Sequence, residues 1–312
     1  MGKPPFRALP VKRRSAKVGR MFRKFIPALL LALSLALPAC TSGPVASASA
    51  ASGQEWTFRK SDLPLDPGYR FGVLGNGMRY IIRHNATPPG QGEVRLLIAA
   101  GSTAEREDEL GYAHFIEHMA FNGSTRVPEG EMVKLLEREG LAFGADTNAS
   151  TSFDTTLYKL NLPRNDPALL DTALMLMRET ASELTFDADA IERERGVILS
   201  EKRVRDTYAL RDLMDQLQFL YPAALFVQRL PIGTNETLNA VTSEKLRRLY
   251  SRIYTPGNAT VIVVGDFDPD AVEAGIRRHF ADWKRARTAA RPDAGPVDPA
   301  LAGRLAQRPM AR

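Results

Sequence analysis

His114, Glu117 and His118 share one short run, Gly-Tyr-Ala-His-Phe-Ile-Glu-His-Met-Ala-Phe, in a chain with only four histidines. On a helix, positions i and i+4 lie on one face, so two imidazoles at that spacing can grip a single zinc ion. Glu117, at i+3, faces the same pocket and can act as general base toward a water activated by the metal. The chemistry implied is hydrolysis. The competing reading is an ordinary solvated helix face. Phe115, Ile116 and Met119 argue against it, because they give the helix an apolar back and so turn the polar residues into a site. A catalytic zinc needs three protein ligands and one open position, which leaves this run one ligand short.

Further along, Ile191-Glu-Arg-Glu-Arg-Gly-Val-Ile-Leu-Ser-Glu-Lys-Arg-Val-Arg reads as a charged helix. Glu194, Val197 and Glu201 recur in it at i, i+3 and i+7, so both carboxylates fall on one face two turns apart. On spacing alone they read as surface charges paired with Arg193, Arg195 and Lys202.

The elements that must hold these residues follow from periodicity and breakers. Strands are expected near 71–83 and 92–100, with Asn76-Gly77 a turn signal inside the first. The motif helix is expected over 108–121, and a second helix over 129–139 stops at Gly140. Strands then follow near 142–149 and 154–162, helices near 166–184, 188–218 and 242–254, a strand at 259–265 and a helix at 269–282. This order implies an α+β layered domain whose largely antiparallel sheet is flanked by helices. Leu170, Leu174, Met175 and Met177 read as core, and His84 and His279 as structural or exposed.

The chain resembles the pitrilysin/insulinase family of zinc metallopeptidases, over roughly residues 69–283. The resemblance rests on ordered segments: Leu74-Gly-Asn-Gly-Met-Arg-Tyr, Gly101-Ser, the His-x-x-Glu-His run of an inverted zincin, Gly140-Leu-Ala-Phe-Gly-Ala-Asp-Thr-Asn-Ala-Ser-Thr-Ser, Glu-Arg-Glu-Arg-Gly-Val-Ile-Leu-Ser-Glu and Val261-Ile-Val-Val-Gly-Asp. It implies that His114, His118 and Glu201 bind one Zn2+ per chain, and that Glu117 is the base. Glu194 takes an outer role, orienting a ligand histidine. Asn148 and Ala149 fall on the edge strand against which a peptide would lie, held by main-chain hydrogen bonds; on its residues alone, Asn148 reads equally well as a turn residue after Gly144 and Asp146. The activity implied is that of an endopeptidase or oligopeptidase. A noncatalytic scaffold on the same fold is the alternative, and so is a catalytic half inactive until a second homologous half or partner subunit joins it.

Composition bounds the partners. The 312 residues, 44% hydrophobic, suffice for the core of one or two domains. The net charge of +6 comes from the leader: residues 1–39 hold nine Lys/Arg and no Asp/Glu, which leaves 33 basic against 36 acidic residues in the remainder. With no basic stripe interleaved with aromatics, nucleic acid is excluded as the expected partner. Basic residues through Lys24, an apolar stretch Phe25–Leu37 and then small residues read as an export signal over 1–39, too short to span a bilayer. Leu37-Pro-Ala-Cys40 resembles a bacterial lipoprotein cleavage box, with ordinary cleavage around residues 46–51 as the alternative. Cys40, the only cysteine, suits a lipid anchor on a cell-envelope, periplasmic protein held at the outer membrane. Residues 40–56 then read as a flexible tether, 57–285 as the peptidase domain and 286–312 as a Pro/Ala/Arg-rich tail that starts a linker toward a second half.

Overall fold

The computed structural model describes residues 56–296, apart from 143, 145 and 289. The signal segment, Cys40 and nearly all of the tether lie outside the described residues, as does the tail beyond 296. Six strands form one sheet: β1 (Tyr69–Val73), β2 (Arg79–His84), β3 (Gly92–Ile98), β4 (Thr147–Thr151), β5 (Thr156–Leu162) and β6 (Ala259–Gly265), in the order β1-β2-β6-β3-β5-β4. Among the described residues only β2 and β6 pair in parallel; the other four pairings are antiparallel, as the sequence implied. β1 and β2 meet through the expected turn, where Gly77 takes φ 99° and the Leu74 N–H donates to the Met78 carbonyl at 2.8 Å.

The helices are α1 (Tyr112–Met119), α2 (Glu131–Arg138), α3 (Pro167–Ser182), α4 (Ala188–Arg205), α5 (Tyr208–Leu220), α6 (Asn235–Asn239), α7 (Ser243–Ile253) and α8 (Pro269–Phe280). Period-2 alternation puts Ile82, Val94, Leu96, Ile98, Tyr158, Leu160, Val261 and Val263 on one buried face of the sheet. Against that face α3 packs on β3 and β5, and α8 on β2. Each such side chain, fully buried, stabilises the fold by roughly 1.5–3 kcal/mol. Leu170, Leu174 and Met177 are buried here as expected, with Met175 half-buried beside them.

Three boundaries and one short helix differ from the sequence reading, each for a local reason. The single helix expected over 188–218 is two, because Asp206-Thr207 interrupts it and the Thr207 hydroxyl accepts from the Leu210 N–H as the N-cap of α5. The motif helix starts at Tyr112 and not near 108, since Gly111 sits at φ 89° and residues 107–109 form a 3-10 turn. The strand expected from 142 begins at Thr147, after a turn in which the Ala142 N–H donates to the Asp146 carboxylate and the Ala142 carbonyl accepts from Asp146 and Thr147. The short α6, set up by a reciprocal Thr234–Thr237 cap, carried too little apolar pattern to be foreseen. The described part of the tail lies against the domain: the Leu225 N–H donates to the Ala294 carbonyl at 2.9 Å, and the Thr255 and Thr288 hydroxyls are 3.4 Å apart. No helix among the described residues is long and apolar enough to cross a membrane.

One polar network ties the outer strands to α8. Glu273 accepts from Tyr80 Oη at 2.7 Å, from Arg277 at 2.6 Å and from Arg70 at 3.0 Å. Burial would raise its carboxyl, but these bonds outweigh it and hold the group at about 2. Because the folded value lies below the unfolded one, the contribution is present above the unfolded carboxylate range and is lost as pH falls toward 2. Glu273→Gln is therefore expected to lower stability at pH 7 by about 1 kcal/mol after solvent screening. The gap between variant and wild type should close in urea titrations repeated at descending pH. A gap that persists unchanged at pH 2.5 would contradict the assignment.

Candidate metal centre

α1 is short and buried on nearly every side. Phe115, Ile116 and Met119 are fully buried, and the helix packs against α4, α7, β4 and β5. Its first turn is held from outside by Glu105, whose carboxylate accepts from the Gly111 N–H at 2.9 Å and the Ala113 N–H at 2.7 Å, two amides that the helix itself leaves unpaired. Burial pushes the Glu105 carboxyl up to about 8, against the pull of those two bonds. Gly111 has to be glycine twice over: its φ is left-handed, and a Cβ there would lie 2.8 Å from the Cα of Gly233. The Gly233 carbonyl in turn accepts from Lys202 Nζ at 2.9 Å, so one loop braces both α1 and α4.

With α1 and α4 in contact, the residues singled out by spacing converge. His114 Nε2 lies 3.6 Å and His118 Nε2 3.4 Å from the same oxygen, Glu201 Oε2. The two rings stand nearly perpendicular, at 80°, and the three donor atoms lie within 4.8 Å of one another. Donors about 2 Å from a tetrahedral zinc sit about 3.3 Å apart, so this set fits the ion. Burial, then the nearby His118 and Arg205, lower His114 to about 3, which keeps its imidazole neutral and able to ligate.

The surroundings orient each donor. His118 Nδ1 is 2.9 Å from Glu194 Oε2, so the other ring nitrogen, Nε2, is the one that faces Glu201. Burial works against a charged His118, but Glu194 and the neighbouring carboxylates outweigh it and raise the group. Burial would likewise raise Glu194, yet the bonds to His118 and Asn122 hold it below the usual carboxylate range. Glu201 Oε1 pairs with Arg205 at 2.5 Å. His114 Nδ1, by contrast, is buried with no hydrogen-bond partner among the described residues, so packing alone sets that ring.

Glu117 is 8% exposed and accepts from Thr151 Oγ1 at 2.7 Å. Burial raises its carboxyl and the Thr151 bond partly offsets this. Thr151, Asn148 and Ala149 all belong to β4, which is an edge strand of the sheet. Asn148 is exposed on the face opposite Thr147, Ala149 and Thr151, and its Oδ1 accepts from the Ala149 N–H at 2.8 Å.

The charge pairing read from α4 alone turns out otherwise. Arg193 bonds Glu129, Arg195 bonds Glu192 and the Val241 carbonyl, and Lys202 bonds the Gly233 carbonyl; their bonds go elsewhere than to Glu194 and Glu201, and Arg193 acts on Glu194 only through its charge. His84 is half-exposed against the Phe267 carbonyl, and His279 bonds Asp171; neither joins the cluster. Glu105, Asn122, Thr151 and Arg205 escaped the sequence reading. Two of them left a trace: Thr151 stands two residues beyond Ala149 and so on the same side of a strand, and Arg205 stands four residues beyond Glu201 on one helix.

Two imidazoles and one carboxylate converging beside a buried glutamate, with the His-x-x-Glu-His spacing on one helix, make up the donor set of an inverted zincin, and comparison with known proteins points to the same family. The family profile described as "Insulinase (Peptidase family M16)" matches residues 80–219, which contain every member of the cluster. A second, "Peptidase M16 inactive domain", matches residues 240–308. The chain is 39% identical over 219 residues to the "Probable zinc protease PqqL" of Escherichia coli and 36% identical over 221 residues to that of Haemophilus influenzae. These alignments cover 70% and 71% of this chain, but only 24% of each relative, so the chain spans about a quarter of their length. The crystal structure of the first half of the periplasmic protease PqqL from Escherichia coli superposes with a TM-score of 0.73 at 36% identity, covering 76% of this chain and 50% of that one. The chain belongs to the insulinase family of peptidases, M16.

Proposed function

We propose that this chain carries the catalytic site of a zinc-dependent endopeptidase or oligopeptidase, with His114, His118 and Glu201 holding the metal. The observation that supports this most is the convergence of two imidazole nitrogens and one carboxylate oxygen, with Glu117 buried beside them. Zinc bound by these residues would polarise the scissile carbonyl and make its water more acidic. Glu117 accepts a proton from the attacking water as the water oxygen bonds to the carbonyl carbon. It returns that proton to the amine nitrogen as the C–N bond breaks, which regenerates the carboxylate. Glu194 keeps His118 in the tautomer that ligates. A peptide laid along β4 near Asn148 and Ala149 would extend the sheet by main-chain bonds, a mode that makes little demand on sequence. Before it could pair with the Ala149 N–H, it would have to displace the Asn148 side chain.

A noncatalytic scaffold is disfavoured by the intact ligand set and base. The length of the relatives supports a division of labour in which a second homologous half closes over the site. Zinc content and peptide cleavage, measured with and without that half, test the proposal. We expect about one zinc per chain and cleavage that rises when the half is supplied; protein that never retains zinc overturns it.

For location, the periplasmic relative and the leader support an envelope protein anchored through Cys40. Cys40→Ser should move the protein from the membrane to the soluble fraction with its zinc retained. Continued partition with membranes would rule out the anchor.

A further inference from the structure

The residue that holds the base in place belongs to a different element from the metal ligands. Thr151 is the last residue of β4, and its hydroxyl donates to Glu117 Oε2 at 2.7 Å. The backbone bonds at either end of the hairpin fix which way β4 faces. The Asn161 N–H donates to the Asp146 carbonyl and the Ser152 N–H to the Thr155 carbonyl, so the even-numbered residues pair with β5. The main-chain groups of Ala149 and Thr151 therefore point away from β5, toward any strand added at the edge, whereas those of Thr147 are taken up by the preceding turn. Thr151 thus presents its backbone to an incoming strand and its side chain to the buried carboxylate.

The far end of the hairpin is anchored. The Ser102 and Thr103 N–H groups donate to the Ser152 and Phe153 carbonyls, and Thr103 Oγ1 donates to the latter at 2.7 Å. Below it, Tyr158 on β5 bonds Tyr254 between the two hydroxyls, both in the buried interior. The hydrogen bond to the Glu117 side chain thus comes from the strand and not from α1, which ties the direction of the carboxylate to the order of β4.

We propose that Thr151 is a positioning residue that couples the order of the β4 edge to the orientation of Glu117, so that a peptide pairing with β4 also steadies the base. This rests on the reading of Glu117 as the base. It differs from a merely structural role in what it predicts: the metal site and substrate affinity are spared, while the chemical step is slowed.

Thr151→Val is nearly isosteric and suits a strand, and Thr151→Ser restores the hydroxyl. In crystals of the zinc-loaded protein, Glu117 should hold one conformer in wild type and Thr151→Ser, and spread over several in Thr151→Val. With one zinc per chain throughout and KM within about twofold, kcat of Thr151→Val should fall about 10- to 100-fold, the scale of one hydrogen bond to a charged group, and recover in Thr151→Ser. Added to Glu117→Gln, Thr151→Val should slow hydrolysis no further. An unchanged Glu117 conformer, an unchanged kcat, or a full additional loss in the double variant overturns the coupling. If Glu117→Gln itself hydrolyses peptides normally, the base assignment falls, and the conformer comparison still decides whether Thr151 holds the carboxylate.

Discussion

Glu117→Gln is expected to keep its zinc and to lose peptide hydrolysis by about a hundredfold or more. The amide has the size and shape of the carboxylate and can still accept from Thr151 Oγ1, so the packing around α1 is preserved. What it cannot do is take up a proton from water. The comparison is informative because Glu117 is not among the three converging donors, so chemistry and metal binding separate cleanly at this position. The measurement pairs elemental analysis of the dialysed protein with cleavage of a quenched fluorescent peptide, in a preparation where the wild type is active. Hydrolysis within a fewfold of wild type would assign the proton transfer to another group.

His118→Ala should have the opposite signature, losing the metal itself. Two donors, His114 and Glu201, remain, too few to hold a tetrahedral ion tightly. The substitution also strands Glu194, whose carboxylate is partly buried against the missing ring. Both effects act in one direction, and zinc affinity should drop by at least about a hundredfold, the upper range for loss of a mere supporting group. Competition against a chelator of known affinity reads this directly. The fold should survive, because His118 is the least buried of the two histidines and the apolar back of α1 is untouched. Zinc retained at wild-type affinity would remove His118 from the ligand set.

The sequence by itself determined the donors on α1. Two histidines four residues apart on one helix share a face whatever surrounds them, because the helical repeat is local and fixed. The same locality made the Asn76-Gly77 turn, the alternating strands β3, β5 and β6, and the apolar stripe of α3 legible. Spacing also put Glu194 and Glu201 on one face of α4, but could not say that this face meets α1; only the resemblance to relatives suggested it.

Tertiary structure decided the rest. Glu201 meets His114 and His118 because α4 packs on α1, with the Gly111–Gly233 contact and the Lys202 bond bracing the two. Thr151 reaches Glu117 because β4 lies beside α1. Arg205, rather than Arg193, Arg195 or Lys202, pairs with Glu201, since those three are drawn to Glu129, Glu192 and backbone carbonyls. Periodicity along one element says which residues share a face. It carries no information about which face of a distant element will be pressed against it, since that is settled by the burial of apolar surface across the whole domain.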